Sequence, residues 1–456
     1  MGERQVLTGW GRTAPSRSTV VEPRSREELR HLLDATGPRV DTSSIIARGL
    51  GRSYGDAAQC AGGRVVRLQG SPHIGAVDAN TGTIDVEAGV SLDALMRHTL
   101  MRGWFVPVTP GTRQVTVGGA LAADVHGKNH HRDGSICAHV ESLTLESPAG
   151  TFEVGPERDP ELFWATAGGM GLTGVITRAT LRLLPVETDR MVVDTDRFDD
   201  LDAVMAAMEE GDDRYRYSVA WVDCTAGSRA GRAVLTRGDH ARREDLGPVR
   251  RRPGARGSSG LPATRLGVPH RLPLHPLNGA TIRAFNEAWY RRAPRQRRDE
   301  IQPLGRFFHP LDGVADWNRL YGPRGFVQYQ FVVGPTDGAL VRRAIELFSS
   351  RALPSFLAVL KRFGPGDPGP LSFPMAGWTL AVDLPVGPEL LPRTLDELDE
   401  LVAGAGGRVY LAKDARLRPE LLAAMYPRAG DLARTRRRVD PAGILRSDLS
   451  RRLSID

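Results

Sequence analysis

Hydrophobic and polar positions in the first 190 residues alternate between a helical period and short β-like runs. In SREELRHLLDATG, Ser25 and Glu28 have capping-box spacing, leucines repeat on one face, and Gly37 marks the end. SLDALMRHTLMRG has the same form, with Ser91 as N-cap and Gly103 as stop. Runs between them, such as GTIDVEAG, alternate apolar and polar residues. This part of the chain is therefore predicted to interleave short amphipathic helices with strands.

Further along, four runs bounded by Gly, Pro and Asp predict a largely antiparallel sheet: RYRYSVAWVDC, GFVQYQFVVG, PSFLAVLKRFG and GWTLAVDLPVG. In the second run, alternation places Gln328 and Gln330 opposite an apolar set. In the last, it places Thr379, Ala381 and Asp383 opposite the leucines. One face of the sheet is thus apolar. The other carries amides and small polar groups, and is either a solvent surface or the wall of a polar ligand pocket.

Three glycine-rich passages lie among the early helices and strands, at residues 45–59, 108–134 and 163–185. The first, IIARGLGRSYGDAAQ, carries Gly49, Gly51 and Gly55, whereas a Rossmann fingerprint needs G-x-G-x-x-G opening a helix. The following DAAQCAGGRVV is too broken by glycine to form that helix. The pattern argues against a Rossmann fold and predicts that backbone N–H groups of several loops hold a phosphate. Any one loop, taken alone, is also compatible with ordinary β-turn glycines.

Composition sets the broad class. With 456 residues, 41% hydrophobic and 25% charged, the chain is long enough for two cores. Cys60, Cys137 and Cys224 are far apart, so neither a disulfide framework nor a metal cluster is expected. No apolar run reaches the ~18 residues of a membrane-spanning helix, and MGERQVLTGWGRT lacks the apolar region of a signal peptide. The sequence predicts a soluble, cytoplasmic protein of two domains.

The net charge of +7 does not predict a nucleic-acid partner, because the arginines are spread along the chain and no nucleic-acid motif accompanies them. One basic segment stands apart, RGDHARREDLGPVRRRPGARGSSGLPATRLG at residues 237–267, which has no hydrophobic period. It is predicted to be a mobile basic loop or lid. Such a loop is either solvated or faces an anionic membrane surface.

Lysine is rare in this chain. Among 61 Lys and Arg residues, only Lys128, Lys361 and Lys413 are lysine. Arginine is a permanently charged fork, whereas the pKa of a lysine ammonium falls when it is buried. The three lysines are therefore site candidates, against the alternative that they survived by chance in an arginine-biased chain.

The order of these elements predicts an α+β protein in which one domain is inserted into another. A first domain covers residues 1–187, and the antiparallel sheet occupies 188–407. After TLDELDELVAGAGG, a helix that Thr394 and Glu397 are expected to cap, the chain returns to the first domain over 408–456.

Several motifs resemble the FAD-binding fold of the vanillyl-alcohol oxidase superfamily, with its PCMH-type domain: GLGRSYGD, PGTRQVTVGGALAADVHGKNHH, ELFWATAGGMGLTGVI and VDPAGILRSD. Within it, DVHGKNHH, FHPLD, QYQF, LSFP and AKD are similar to the decaprenylphosphoryl-β-D-ribose 2′-oxidase family over nearly the whole chain. The resemblance implies an FAD-binding domain in two parts and a substrate-binding cap between them. It further implies oxidation of ribose C2′ in a polyprenylphosphoryl ribose to the 2′-keto intermediate, the first step in making the arabinose donor of actinobacterial cell walls.

Flavin oxidation of a secondary alcohol needs a base near the hydroxyl that loses its proton. The resemblance places His126 and Lys413 in the active site, and either suits the role. A neutral imidazole accepts a proton, and a buried lysine acts as a neutral base or as a cation beside an alkoxide. The sequence does not decide between them.

The resemblance also implies contact residues. Cofactor contacts are expected at Ala47, Arg48, Gly49, Leu50, Gly51, Arg52, Ser53, Tyr54, Gly55, Asp56, Ala57, Gly111, Thr116, Val117, Gly118, Gly119, Ala123, Asp124, Val125, His126, Ile176 and Tyr410. Substrate contacts are expected at Lys128, Trp221, Phe308, Gln328, Gln330, Lys361, Phe363, Thr379, Ala381 and Lys413. Each side chain has the alternative of ordinary packing, most strongly Trp221.

Two positions depart from relatives. Many superfamily members link the flavin to a histidine in the first glycine loop, where this chain has Arg52, so FAD is expected to be bound non-covalently. Mycobacterial members carry a cysteine where this chain has Ala381, and that thiol is the attachment point of covalent nitroaromatic inhibitors. This chain is expected to escape covalent capture with its turnover intact.

The resemblance implies a lipid-linked sugar substrate, an NAD-dependent keto-reductase partner, and contact with a membrane surface. It places the protein at the plasma membrane, on the cytoplasmic side by sequence or on the periplasmic side as in the family. One alternative is an FAD-dependent oxidase of the same fold acting on a soluble alditol or aldonolactone. The other is a carbohydrate or lipid carrier with a decayed flavin site, against which the intact glycine loops argue.

Overall fold

The computed structural model describes residues 2–34, 44–68, 73–225, 227, 230–247, 260–261, 266–269 and 277–455. Helices and mixed and antiparallel sheets occur together in the described residues, which confirms the predicted α+β class.

A small mixed sheet carries the first glycine-rich loop. Its elements are β1 Glu3–Leu7, β2 Ser16–Val21, α1 Arg26–Leu33, β3 Ile45–Ala47 and β4 Arg64–Val66. The strand order is β1–β2–β4–β3, with β4 parallel to both its neighbours, and the loop joins β3 to β4. The Ser25 side chain caps α1 by accepting the N–H of Glu28, as predicted, but the helix ends at Leu33, before Gly37.

A second, antiparallel sheet carries the other two glycine-rich passages. Its strand order is β5–β6–β10–β8–β9. The second passage follows β7 and runs through α3 to α4, and the third runs from α5 through β10 to β11. The elements are β5 Ile74–Asp78, β6 Thr83–Glu87, α2 Leu92–Leu100, β7 Trp104–Phe105, α3 Val117–Ala122, α4 His130–Asp133, β8 Val140–Ser147, β9 Gly150–Val154, α5 Pro160–Thr166, β10 Val175–Arg182 and β11 Leu184–Pro185.

The rest of the chain builds a large antiparallel sheet with helices on one face. The elements of this region are β12 Arg190–Phe198, α6 Leu201–Gly211, β13 Tyr217–Val222, β14 Ala233–His240, β15 Leu266–Gly267, α7 Gly279–Arg292, β16 Gln296–Pro303, α8 Leu304–Phe308, β17 Val314–Ala315, β18 Phe326–Val333, α9 Gly338–Ser350, β19 Ala358–Phe363, β20 Gly377–Pro385, α10 Leu390–Gly404 and β21 Arg408–Val409, of which β15 and β17 form a separate parallel pair. The strand order is β16–β12–β14–β13–β19–β20–β18–β21, and the four predicted strands are β13, β18, β19 and β20. Because β21 pairs with β18, residues 408 and 409, which the predicted division assigns to the returning C-terminal segment, complete the edge of this sheet.

The two faces of the large sheet divide as the alternation predicts. Helices α6, α9 and α10 pack on the apolar face, where Phe331 and Leu380 are buried. The polar face is buried too, since Gln330, Thr379 and Asp383 have no exposed surface. Gln330 on this face contacts His126 of the second glycine passage. The polar face is therefore an internal wall and not a solvent surface.

The predicted basic loop at 237–267 is wrong at its start, because residues 237–240 belong to β14 between β12 and β13. Arg237 is buried and forms an ion pair of 2.6 Å with Asp196 of β12. Asp239 accepts the Arg216 N–H at 3.1 Å, and His240 Nε2 lies 3.0 Å from the Tyr217 hydroxyl, so these polar residues of the strand are paired inside the sheet. Residues 244–246 form a 3₁₀ turn, and Leu266–Gly267 pairs with β17. Residues 248–259 and 262–265, where the rest of the predicted loop falls, lie outside the described residues.

The C-terminal segment closes onto the first sheet. The N–H of Ile45 in β3 donates to the Ile444 carbonyl at 2.7 Å. Arg452 bridges the carboxylates of Asp56 and Asp414 at 2.8 Å each. The helices of this segment are α11 Leu422–Met425, α12 Ala429–Val439 and α13 Asp448–Arg452. Across the described part of the chain, no helix has the length and hydropathy needed to cross a bilayer.

Candidate active site

The loop from Gly49 to Ser53 presents a row of free backbone N–H groups. The next N–H, that of Tyr54, donates to the Ala412 carbonyl at 2.9 Å. In the described part of the chain, the five N–H groups before it donate to no carbonyl or side chain. Gly51 takes a left-handed conformation, with φ 66°, which turns the row. Successive free N–H groups in such a turn form a concave anion site.

The second glycine passage closes against this row. The backbone of Gly49 approaches the Thr116 hydroxyl so closely that a Cβ at residue 49 would overlap it. Thr116 is the N-cap of α3, and its side chain accepts the N–H of Gly119 at 3.1 Å. Glycine is thus required where the two loops touch.

The third passage packs beside the second. The N–H of Gly168 donates to the Leu121 carbonyl at 3.0 Å, and that of Met170 donates to Ala122 at 2.9 Å. A Cβ at Gly171 would lie 3.3 Å from Ile46 of β3. The three glycine-rich passages, separate in sequence, therefore meet in one place.

The first loop also meets the returning C-terminal segment. At Gly55 an added Cβ would overlap the Asp414 carbonyl oxygen. Tyr54 and Ala412 share the backbone hydrogen bond described above, which holds Lys413 beside the loop. The Lys413 ammonium lies 5.4 Å from the centre of the Tyr54 ring.

His126 is the buried centre of the site. Its Nδ1 lies 3.3 Å from Lys361 Nζ, and its Nε2 lies 3.0 Å from the Gln330 amide nitrogen. Burial, together with the nearby Lys361 and Lys413 charges, holds the pKa of His126 well below its usual range. The imidazole is therefore neutral at physiological pH, and both its nitrogens are engaged by neighbouring side chains.

All three lysines have lowered pKa values. Burial, followed by repulsion from Lys413 and Lys128, lowers the pKa of Lys361 well below its usual range. Burial lowers the pKa of Lys128 to about 7 and that of Lys413 to about 8. The amines of Lys361 and Lys413 thus flank His126 in a site that favours their neutral forms.

Asp383 is the charge partner of Lys413. Burial raises the pKa of Asp383 to about 7, and its carboxylate in turn raises that of Lys413. One oxygen of Asp383 accepts from the Gln328 amide, and the other accepts from the Tyr321 hydroxyl at 3.3 Å. Alternation predicts Asp383 on the polar face but not in the site, because its charge partner Lys413 lies 30 residues further along the chain.

Side chains of β18 and β20 form the polar wall opposite His126. Gln328 stands opposite Asp383 in the strand register, and Gln330 opposite Ala381. The Gln330 amide also donates to the Thr379 hydroxyl at 3.0 Å. The predicted pair of glutamines is therefore brought to the site.

Aromatic rings frame the imidazole. Phe363 lies 4.7 Å from the His126 ring, and Tyr410 lies 5.5 Å from it. Tyr410 stacks on Phe373 at 4.6 Å and donates its hydroxyl to the Ala123 carbonyl at 2.7 Å. The C-terminal segment thus reaches the loop that carries His126 through Tyr410, whose expected contact with the cofactor stays a prediction.

Three predicted substrate residues lie towards the margin. Lys128 donates to the Phe307 carbonyl and lies 4.5 Å from that ring. Phe308 is buried in an aromatic cluster with Tyr217, 4.8 Å away. Trp221 donates its indole N–H to the Phe356 carbonyl at 3.0 Å. Packing explains these three side chains without a ligand.

Several predicted cofactor residues have side chains that support the loops. Arg48 donates to the Thr8 and Ala58 carbonyls, and Asp56 binds Arg452. Arg52 lies 3.8 Å over the Trp10 ring. The other predicted positions lie on the three glycine-rich passages, with Ile176 in β10 of the third, except for Tyr410, which follows β21.

A buried carboxyl pair, Asp124 and Asp367, lies next to the His126 loop, and of the two the sequence predicts only Asp124, as a cofactor contact. Asp124 takes a left-handed conformation, with φ 42°, and accepts from the Ser135 and Ser372 hydroxyls at 3.1 and 2.5 Å. Ser135 also donates to Asp367 at 2.8 Å. Burial and Asp124 raise the pKa of Asp367 to about 7. Ser372 belongs to the motif LSFP, which is the sequence feature that indicates this contact between the predicted cap and the His126 loop.

The glycine-rich face fits an FAD. A row of unpaired N–H groups suits the pyrophosphate, and glycines stand where the backbone must come close to a neighbour. At Gly111 a Cβ would meet open space, which leaves room beside the second passage. The residues that would hold the cofactor are those of the first loop, the start of α3, and the segment before His126.

Comparison with known proteins agrees with this chemistry. A model of the FAD binding domain matches residues 18–154. The decaprenylphosphoryl-β-D-ribose oxidase of Mycolicibacterium smegmatis is 43% identical over 98% of this chain and 97% of its own length. An uncharacterised protein of Streptomyces coelicolor is 41% identical over 80% of this chain and all of its own length. A putative D-arabinono-1,4-lactone oxidase of Neurospora crassa is 26% identical over only 36% of this chain and 29% of its own.

The likeness to the mycobacterial oxidase extends through both the glycine-rich loops and the large sheet, since it covers almost all of both chains. The match to the lactone oxidase is confined to about a third of each. The chain is therefore an FAD-dependent oxidoreductase, and it belongs to the decaprenylphosphoryl-β-D-ribose oxidase family.

Proposed function

We propose that the protein oxidises the ribose C2′ hydroxyl of a decaprenylphosphoryl-β-D-ribose to the 2′-ketone, the first step of its epimerisation to the arabinose form used in cell-wall arabinan synthesis. The observation that carries the proposal is the junction at Lys413. There the glycine-rich loop at Tyr54, the imidazole of His126 and the polar wall of β18 and β20 come together. A sugar held against the amide wall would present a hydroxyl to two amines and an imidazole.

The reaction separates a hydride from a proton. The C2′–H bond breaks with its electron pair, the hydroxyl loses its proton, and C2′ and its oxygen form a carbonyl. Bound FAD supplies the acceptor for the hydride. The chain itself must then hold the sugar, exclude water and take the proton.

Lys413 is the better of the two candidate bases. Its pKa of about 8 leaves part of the population as a free amine near neutral pH, close to the optimum for general-base catalysis. Its ammonium makes no hydrogen bond within the described part of the chain, so it is available to a substrate hydroxyl. His126 has a depressed pKa, which makes it a weak base, and Lys361 and Gln330 already engage its nitrogens. We assign His126 to orienting the sugar and Lys413 to accepting the proton.

Lys361 orders the pocket in this scheme. Its amine contacts His126 Nδ1, which fixes the imidazole plane against Phe363. The Gln328 amide donates to the Asp383 carboxylate and so positions the negative charge that raises the pKa of Lys413. The two strands of the wall, β18 and β20, thus position the base as well as enclosing the substrate.

We further propose that FAD is bound without a covalent link. Arg52 stands in the first loop and packs over Trp10, and a guanidinium does not form a bond to the flavin. Acid precipitation of the holoenzyme is expected to release all the flavin into the supernatant. Flavin that stays with the pellet would contradict this.

The 2′-ketone must be reduced to complete an epimerisation, so the proposal includes an NAD-dependent keto-reductase as partner. A polyprenyl substrate resides in a membrane, so the protein must also reach a membrane surface from one side of the plasma membrane. The ketone product supports the reductase partner, and the lipid chain of the substrate supports the membrane contact.

The test is anaerobic mixing of the purified holoenzyme with decaprenylphosphoryl ribose. Bleaching of the flavin absorbance is expected, with free ribose and xylitol giving none. Bleaching by a soluble alditol or aldonolactone at comparable concentration would favour an oxidase of soluble sugars instead.

A further inference from the structure

Helix α7 exposes two large aromatic rings side by side. Phe285 is 47% exposed and Trp289 is 46% exposed. Their centroids lie 6.1 Å apart with nearly parallel planes. The opposite side of the helix, with Ile282, Asn286 and Tyr290, is buried. Single exposed apolar residues are common on soluble proteins, but a stacked aromatic pair is a feature of binding surfaces.

The pair continues into the molecule as a row of rings. Phe285 meets Phe356 edge-on at 5.9 Å, and Phe356 lies 5.8 Å from Tyr321. The exposure falls along this path, since Phe356 is half-buried and Tyr321 is buried. We call Trp289, Phe285, Phe356 and Tyr321 the aromatic row.

The inner end of the aromatic row lies at the candidate active site. The Tyr321 hydroxyl donates to Asp383, the charge partner of Lys413. Its ring stacks on Phe326 at 4.0 Å, and Phe326 meets Tyr54 at 5.5 Å. An apolar path therefore leads from the protein surface to the polar wall.

We infer that the aromatic row binds the polyprenyl chain of the substrate while its sugar occupies the site beside Lys413. This inference rests on the proposed function and names the binding surface for the lipid part of that substrate. A contact with a lipid bilayer alone would use the exposed pair on α7, but it would not need the rings to continue to Asp383. An isoprenoid chain is long, methyl-branched and free of polar groups, so it needs flat apolar contacts and no hydrogen bonds.

The charge around the row agrees with an anionic lipid. Arg283 and Arg292 of α7 are exposed beside the ring pair. Arg291 is held by Glu287 at 2.6 Å, one turn away. The outer end of the row, Phe285 and Trp289, thus lies on a helix with three arginines and one glutamate, a charge that favours the anionic membrane surface from which a lipid substrate is taken.

The test compares chain lengths. Wild-type enzyme, the double variant Phe285→Ser/Trp289→Ser and the control Leu390→Ser/Leu401→Ser are given phosphoryl riboses with prenyl chains of increasing length. The control removes two exposed leucines of α10, 47% and 39% exposed, away from the row. We measure KM and the limiting rate of anaerobic flavin reduction.

In wild type and control, KM is expected to fall as the chain lengthens. In the double variant this dependence is lost, with KM for the longest chain raised about tenfold and the limiting rate unchanged. The shortest chain is expected to react alike in all three proteins. Equal effects at every chain length, or none at any, would overturn the inference.

Binding is measured separately, so that a failure of the proposed function is recognised as such. Geranylgeranyl phosphate is titrated into wild type and Trp289→Phe, and quenching of the Trp289 emission is expected only in wild type. Quenching without flavin reduction by any prenylphosphoryl ribose would contradict the proposed reaction and support the row. If the double variant loses binding to phosphatidylglycerol vesicles but keeps the chain-length dependence, the rings bind the bilayer and the inference is wrong.

Discussion

The two sides of the candidate site are built by different means. The glycine-rich side offers backbone N–H groups and close approaches between loops, as at Gly49 against Thr116. The sheet side offers side chains from separate strands, such as Gln330, Asp383 and Lys361. A backbone site tolerates changes of side chain but not the addition of a Cβ. A side-chain site keeps its fold when a group is replaced but loses its chemistry. Substitutions on the glycine-rich side are therefore expected to lower stability and flavin content, whereas substitutions on the sheet side are expected to lower the reaction rate.

The largest effect is expected from Gly55→Ala. A Cβ there overlaps the Asp414 carbonyl, so the first loop and the Lys413 segment must separate. The free energy of unfolding is expected to fall by at least ~3 kcal/mol, because backbone atoms and not a flexible side chain have to move. Thermal unfolding and flavin content of the purified protein measure it, and both should fall. Gly430→Ala in α12, where a Cβ meets open space, is the control and should lower neither. Full flavin content in Gly55→Ala would show that the loops are not tied in this way.

Lys413→Met should leave the backbone side intact and stop the chemistry. The variant is expected to bind FAD normally while its rate of flavin reduction falls about 10²–10⁴-fold, the usual loss when a general base is removed. Stopped-flow reduction by decaprenylphosphoryl ribose measures the rate. Arg434→Met, an exposed cation of α12, is the matched control and should react like wild type. A loss of less than tenfold would move the proton-acceptor role to His126.

The pH dependence tests the pair of Asp383 and Lys413. Since the base must be unprotonated, flavin reduction by wild type should rise with pH through about 8. Asp383 raises the pKa of Lys413, so Asp383→Asn should lower that pKa and move the rising limb to lower pH, by roughly one unit. The rate profile of flavin reduction between pH 6 and 10 measures this shift.

Asp367→Asn is the control for this profile. Asp367 is another carboxyl whose pKa is raised to about 7, but it lies with Asp124 and Ser135 and not with Lys413. Its removal should leave the rising limb in place. An unmoved limb in Asp383→Asn, or a rise towards higher pH, would contradict the pairing.

The same division explains what sequence reasoning could recover. The glycine passages are continuous segments, and the match to an FAD binding domain covers residues 18–154, which contain two of them. Alternation correctly sorted β18 and β20, because each strand has one face on the helices. Strand β16, QRRDEIQP, was missed because it is an edge strand whose outward residues are charged and exposed.

Contacts between distant segments were not predictable. Helix α10 begins at Leu390, so Thr394 and Glu397 lie inside it, and Glu397 pairs with Arg351, the C-cap of α9, instead of capping the helix. Lys361 was predicted as a site residue but not as the neighbour of His126. Pairs such as Lys413 and Asp383 depend on how strands and loops are arranged in space, and one sequence does not record that arrangement.

The smallest effect is expected from Ala381→Cys. Ala381 stands opposite Gln330 in the strand register and is nearly buried, so a single added sulfur should change the rate of flavin reduction by no more than about twofold. What changes is reactivity, because a thiol on the polar wall faces the site. Wild type should release a nitroaromatic inhibitor on denaturation, whereas Ala381→Cys should retain it in the mass spectrum. Leu380→Cys, whose side chain points into the core on the opposite face, should stay unlabelled. If both cysteines stay unlabelled, or both are labelled, the polar face of β20 does not face the substrate. The assignment of this strand to the side-chain half of the site is then wrong.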